Sequence, residues 1–215
     1  MTGPHQREPV ATDGAPLQEA VAAVVLVHGR GATARSMIQL AYEFYREEVA
    51  YLAPQAARNT WYPNSFLAPV EANEPGRSSG LQRLSELVTE ANEADIPTER
   101  ILVCGFSQGG CLASEFVARN PTQYGGLAVF SGGLIGESVD PEEYEGDLQG
   151  TPAFLGCSDI DPHIPESRVH ETADVLQRLG ASVDTRIYPG MAHTINEDEI
   201  SAVSELLDSI LEEAP

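Results

Sequence analysis

Lysine is missing from this 215-residue chain: all twelve of its basic residues are arginine, against 33 Asp and Glu, for a net charge of −21. A net charge of that sign argues against nucleic acid and anionic membrane as partners, since both need an extended basic face. Codon bias would exchange lysine for arginine without adding acids. The carboxylate excess reads instead as adaptation to high salt, where screening removes the self-repulsion that such a charge imposes. Cysteine is scarce. Cys104, Cys111 and Cys157 are an odd number in segments that read as core strand or helix, with no Cys-x-x-Cys or paired-histidine spacing near them. They are expected as buried thiols, not as a disulfide framework or a metal site, and no cofactor is implied. No run approaches the ~20 apolar residues of a membrane span, and the N-terminus lacks a basic segment followed by an apolar one, so a cytoplasmic protein is expected.

What is present is an alternation of short apolar runs with helical periodicity. Residues 1–19 read as a loose arm or a short edge strand, and 20–215 as a single domain. Ala20–Val27 is a buried strand that ends in the turn His28-Gly29-Arg30-Gly31. Thr33 or Ser36 caps a helix running to about Arg46, and Val49–Ala53 is the next strand. Asn59–Arg77 shows no periodicity and carries the only Trp, so it is expected as a long loop walling a pocket or plugging the end of the core. An amphipathic helix follows over Gly80–Ala94. Strands at Ile101–Cys104, Gly126–Phe130, Pro152–Cys157 and Val183–Tyr188, with helices between them, define an α/β fold around a mostly parallel sheet. Asn196 with Glu199 forms a capping pair for the last helix.

The decisive stretch is Ile101-Leu102-Val103-Cys104-Gly105-Phe106-Ser107-Gln108-Gly109-Gly110. It fits Gly-x-Ser-x-Gly between a strand and a helix, the context in which a sharp turn exposes a nucleophilic serine, and the helix, Cys111–Arg119, reads as amphipathic with Leu112, Phe116 and Val117 inward. In parallel sheets functional loops leave the C-terminal strand ends. There, Asp159-Ile160-Asp161-Pro162-His163 follows one strand and Gly190-Met191-Ala192-His193 the next, so Ser, Asp and His appear in the order of a hydrolase triad. Ser107 needs a base to take its proton, and His193 is the candidate. Asp159 and Asp161 both stand where the imidazole could be oriented, while His163 is the rival base. His170 reads as helix surface and His5 as tail. Oxyanion donors are expected from the N–H of Gln108, after the nucleophile, and from that of Arg30 in the early glycine turn. Trp61, Phe66 and Ser131 are the candidate substrate-contacting residues.

The blocks His28-Gly29-Arg30-Gly31-Ala32-Thr33, Gly105-Phe106-Ser107-Gln108-Gly109-Gly110, Asp159-Ile160-Asp161-Pro162-His163-Ile164-Pro165 and Gly190-Met191-Ala192-His193 resemble the phospholipase/carboxylesterase group of α/β-hydrolases, which includes the acyl-protein thioesterases. The resemblance implies a cap-less, cofactor-independent α/β-hydrolase with Asp161 as the triad acid beside Ser107 and His193. It departs from the thioesterase branch at the oxyanion turn, where His-Gly-Leu-Gly-Asp is usual and Arg30 and Ala32 stand here, which implies short acyl esters over palmitoyl-like chains. Trp61-Tyr62-Pro63 resembles a prokaryotic branch labelled dienelactone-hydrolase-like, though true dienelactone hydrolases carry cysteine at the elbow. The expected activity is hydrolysis of small carboxylic esters or thioesters through an acyl-enzyme. The rival is a ligand-binding, receptor-like protein on the same fold, since a triad does not fix a physiological role. Monomer and homodimer both remain open at this point.

Overall fold

The computed structural model describes residues 3–212. Seven strands form one sheet in the order β1-β3-β2-β4-β5-β6-β7. β2 (Ala22–Val27), β3 (Val49–Pro54), β4 (Ile101–Phe106), β5 (Gly126–Phe130), β6 (Pro152–Ser158) and β7 (Ser182–Tyr188) are parallel, and β1 (Val10–Gly14) runs antiparallel to β3 at one edge. The continuous apolar runs are explained by cover on both faces: every residue of β2, β3 and β5 is buried. This is an α/β-hydrolase fold.

Helices α2 (Gly76–Glu93), α3 (Gln108–Arg119) and α4 (Glu166–Arg178) pack on one face, where Leu84, Leu87, Leu112, Phe116, Val169 and Leu176 join the inward residues of β2 and β4. The other face is covered by α1 (Ala34–Ala41) and α5 (Glu197–Glu212) through Met37, Ile38, Val203, Leu207 and Ile210. Thr33 caps α1 in a reciprocal box with Ser36, and the helix tightens into a 3-10 turn at Tyr42–Phe44, short of the expected Arg46. The expected pair at α5 is present: the Asn196 side chain accepts from the Glu199 N–H, and Glu199 accepts from the Asn196 N–H.

Three expectations change. Helix α2 begins at Gly76, four residues before its expected start at Gly80, with Pro75 as its N-cap. Gly80 acts there as a packing residue, because a Cβ at that position would come within 2.8 Å of Leu112 Cδ2. Helix α3, expected to show one apolar side, is buried from Gln108 through Ala118. The N-terminal segment is not loose at His5, which is buried, donates through Nε2 to the Trp61 carbonyl and accepts at Nδ1 from the Ala57 N–H. No local pattern could show that contact, which joins residues more than fifty positions apart.

Candidate active site

Ser107 sits between β4 and α3 with φ 55° and ψ −121°, outside the conformations a serine adopts without strain. Its neighbours make that bend tolerable. A Cβ at Gly105 would overlap the carbonyl of Gly109, and one at Gly109 would overlap the carbonyl of Val27. The serine is thereby raised off the end of the sheet while the first turn of α3 lies below it.

Two loops from β6 and β7 meet this turn. His193 Nε2 lies 2.9 Å from Ser107 Oγ, and His193 Nδ1 lies 2.6 Å from Asp161 Oδ2. The Asp161 carboxylate is shielded from solvent, while the His193 side chain is 18% exposed and lines the cavity. Burial works against charge on Asp161. Hydrogen bonds from His193 and from the His163 and Ile164 N–H groups outweigh it and hold the carboxyl below its usual pKa. Asp159 points elsewhere and accepts from the Gly190 N–H, pinning the loop that carries His193. His163 stands edge-on to the His193 ring with centroids 5.0 Å apart, and His170 faces Glu166 on the surface of α4.

Gly29 packs against Phe106 and Ser107, which brings the β2 turn to the same hollow. Among the described residues neither the Arg30 N–H nor the Gln108 N–H finds a hydrogen-bond partner, although the adjacent Gly31 N–H bonds to the Asn59 carbonyl. His28 below is neutral, its pKa lowered by burial. Its Nε2 accepts from the Ala56 N–H, which leaves Nδ1 to donate to the Gly29 carbonyl.

A cavity of about 480 Å3 opens above Ser107, with Arg30, Tyr62, Phe66, Phe106, Cys111 and Ile164 among the residues that line it. Of the three expected contact residues only Phe66 lines it. Trp61 is fully buried below, its indole N–H donating to the His28 carbonyl and its ring against His5 and His28. Ser131 is buried at the end of β5 and lies off the cavity, because its N–H is drawn to the Gly156 carbonyl on the next strand. Sequence reasoning missed the Gln108 side chain, which accepts from the Trp61 N–H and donates to the Tyr62 carbonyl. It bolts the aromatic loop to the elbow. It also missed Cys111 as a wall residue, although burial pushes that thiol up to about 12 and keeps it unreactive.

Residues 14–211 match the model of the Phospholipase/Carboxylesterase family. The chain belongs to that family. Membership makes it a hydrolase of carboxylic esters or thioesters. It is similar to a phospholipase/carboxylesterase from Dyadobacter fermentans of known crystal structure, with 44% identity, a TM-score of 0.89, and 95% of this chain and 96% of that one covered. A probable carboxylesterase of Oryza sativa subsp. japonica is 32% identical over 73% of this chain and 60% of its own length. Acyl-protein thioesterase 1 of Debaryomyces hansenii is 28% identical over 71% of this chain and 76% of its own. Among the described residues no helix is long and apolar enough to cross a membrane.

Proposed function

We propose that this family member is a serine hydrolase of small carboxylic esters, and of thioesters of similar size, working through an acyl-enzyme. The observation that carries the reading is the unbroken line of hydrogen bonds from Asp161 through His193 to Ser107, at 2.6 and 2.9 Å. Ser107 Oγ attacks the carbonyl carbon as His193 Nε2 takes its proton, and Asp161 stabilises the imidazolium and fixes Nδ1–H as donor. The unpartnered N–H groups of Arg30 and Gln108 receive the oxyanion. Collapse returns the proton from His193 to the leaving alcohol or thiol. Water, deprotonated by the same ring, then repeats the attack on the acyl-serine and releases the acid. The Arg30 guanidinium donates to the carbonyls of Tyr62, Pro63 and Asn64, fixing one cavity wall and favouring short acyl groups over long chains.

The test is Ser107→Ala with p-nitrophenyl acetate. The kcat should fall on the order of 10⁴–10⁶-fold with the thermal midpoint unchanged or raised, and a fluorophosphonate should label wild type at Ser107 alone. Retained turnover in the folded variant would remove the serine mechanism.

A further inference from the structure

The cavity mouth carries a charge opposite to that of the whole molecule. Segments 20–42 and 49–70 contain Arg30, Arg35 and Arg58 and not one Asp or Glu, in a chain with 33 acids and twelve arginines. The two segments are stitched together beside the oxyanion turn, where the Gly31 N–H bonds to the Asn59 carbonyl and the Ala34 N–H to Gln55 Oε1. All three arginines are exposed. Among the described residues none of the three has a carboxylate within ion-pair distance, whereas Arg46, Arg77, Arg83, Arg119, Arg168, Arg178 and Arg186 each have one. Arg30 lines the cavity and no Asp or Glu does. Its guanidinium is held at 2.6–3.0 Å by three neutral carbonyls, so its position is fixed while its charge is not neutralised.

A net charge of −21 repels anions at long range. Screening confines that field to roughly 8 Å at physiological ionic strength, and within such a distance local charge decides what the mouth accepts. We propose that the site selects an ester bearing a carboxylate a few bonds from the scissile carbonyl, the carboxylate resting on the Arg30 side of the mouth. The proposal rests on the hydrolase reading above and names its substrate class. Three of the five guanidinium N–H groups of Arg30 are taken by the loop carbonyls, leaving two for an incoming oxygen. A carboxylate about 6 Å from the guanidinium, at an effective dielectric constant near 40, gains about tenfold in kcat/KM over its neutral counterpart.

The experiment compares matched pairs of esters. One pair places the charge on the acyl side, p-nitrophenyl hemiglutarate against p-nitrophenyl butyrate, and the other on the alcohol side, O-acetylglycolate against ethyl acetate. In wild type at physiological ionic strength the anionic member of at least one pair should lead by about tenfold, and molar NaCl should shrink that lead. Arg30→Met should bring the ratio to one or below, whatever it does to the absolute rate. Arg58→Gln, away from the reacting atoms, should lower the ratio about twofold and leave the neutral ester untouched. Ratios at or below one in both pairs overturn the preference, as does a ratio that survives Arg30→Met. Turnover of the neutral esters without preference sinks the preference alone, whereas no turnover of either member sinks the esterase reading with it.

Discussion

Among the described residues two glutamates are wholly buried, and they are buried on different terms. Glu115, in the middle of α3, has both oxygens filled: Oε1 accepts from Arg77 and Arg119, and Oε2 from the Tyr144 hydroxyl and the Ile135 N–H. Glu199, in the first turn of α5, accepts from the Asn196 N–H at Oε2, and among the described residues its Oε1 has no partner. Burial pushes its pKa up, against the Asn196 hydrogen bond and with the help of the Asp198 charge, to about 7. The contrast teaches that burial alone does not fix what a carboxyl does. Partners make Glu115 an ionic clamp, and their shortage makes Glu199 a proton-binding cap. Each supports the proposed triad from behind, since α3 starts directly after Ser107, its N-cap, and the Glu199 cap closes the loop that carries His193.

The largest break in this comparison comes from Glu115→Ala. It leaves Arg77, whose side chain is 9% exposed, without its buried partner and strands the Tyr144 hydroxyl, so a loss of about 3–5 kcal/mol is expected in urea unfolding. A loss below about 1 kcal/mol would mean that water satisfies Arg77 and that the clamp is no stronger than a surface pair.

Glu199 sharpens the contrast through pH. Its folded pKa lies above the ordinary 4.5, so between 4.5 and about 7 the folded protein holds a proton that the unfolded chain has lost. Stability from this group is complete below pH 4.5 and disappears as pH rises through about 7, a change on the order of 3 kcal/mol. Glu199→Gln cannot ionise. The difference in unfolding free energy between the variant and wild type should therefore grow in the variant's favour from pH 4.5 to pH 8. A difference that stays flat across that interval would show Glu199 to be ionised throughout and as well partnered as Glu115.

Neither role was legible in the sequence, although much of the rest was. β2, β4 and β5 announce themselves because strands covered on both faces need unbroken apolar runs, and the proposed triad is legible because each member follows its own strand. Glu115 looked like the polar side of an amphipathic helix. Its burial depends on α2 and on the segment carrying Ile135 and Tyr144, which cover α3 from distant parts of the chain. Trp61 and Phe66 were indistinguishable as pocket wall or core plug, and the structure divides them, one to each. The start of α2 was hidden by Gly76, Gly80 and Pro75, residues that usually break helices. Here one caps the helix, and the two glycines admit the Trp61 carbonyl and the Leu112 side chain.

The finest test lies inside the Glu115 clamp, between its two arginines. Arg77 reaches Glu115 from α2 with 9% of its side chain exposed, while Arg119 reaches it from one turn along α3 with 32% exposed. Arg119 also lies 4.7 Å over the Tyr144 ring, so its aliphatic stem and part of its contact survive if the ion pair is weakened. Arg77→Met should cost about 3 kcal/mol, because it removes a donor from a dry site, and Arg119→Met no more than about 1 kcal/mol. Salt separates them further. Screening in molar NaCl acts on exposed charges and spares dry ones, so the small cost of Arg119→Met should vanish there while that of Arg77→Met persists. Equal costs with equal salt dependence would mean that water reaches both pairs alike, and the line drawn between a clamped and an unclamped glutamate would have to be moved.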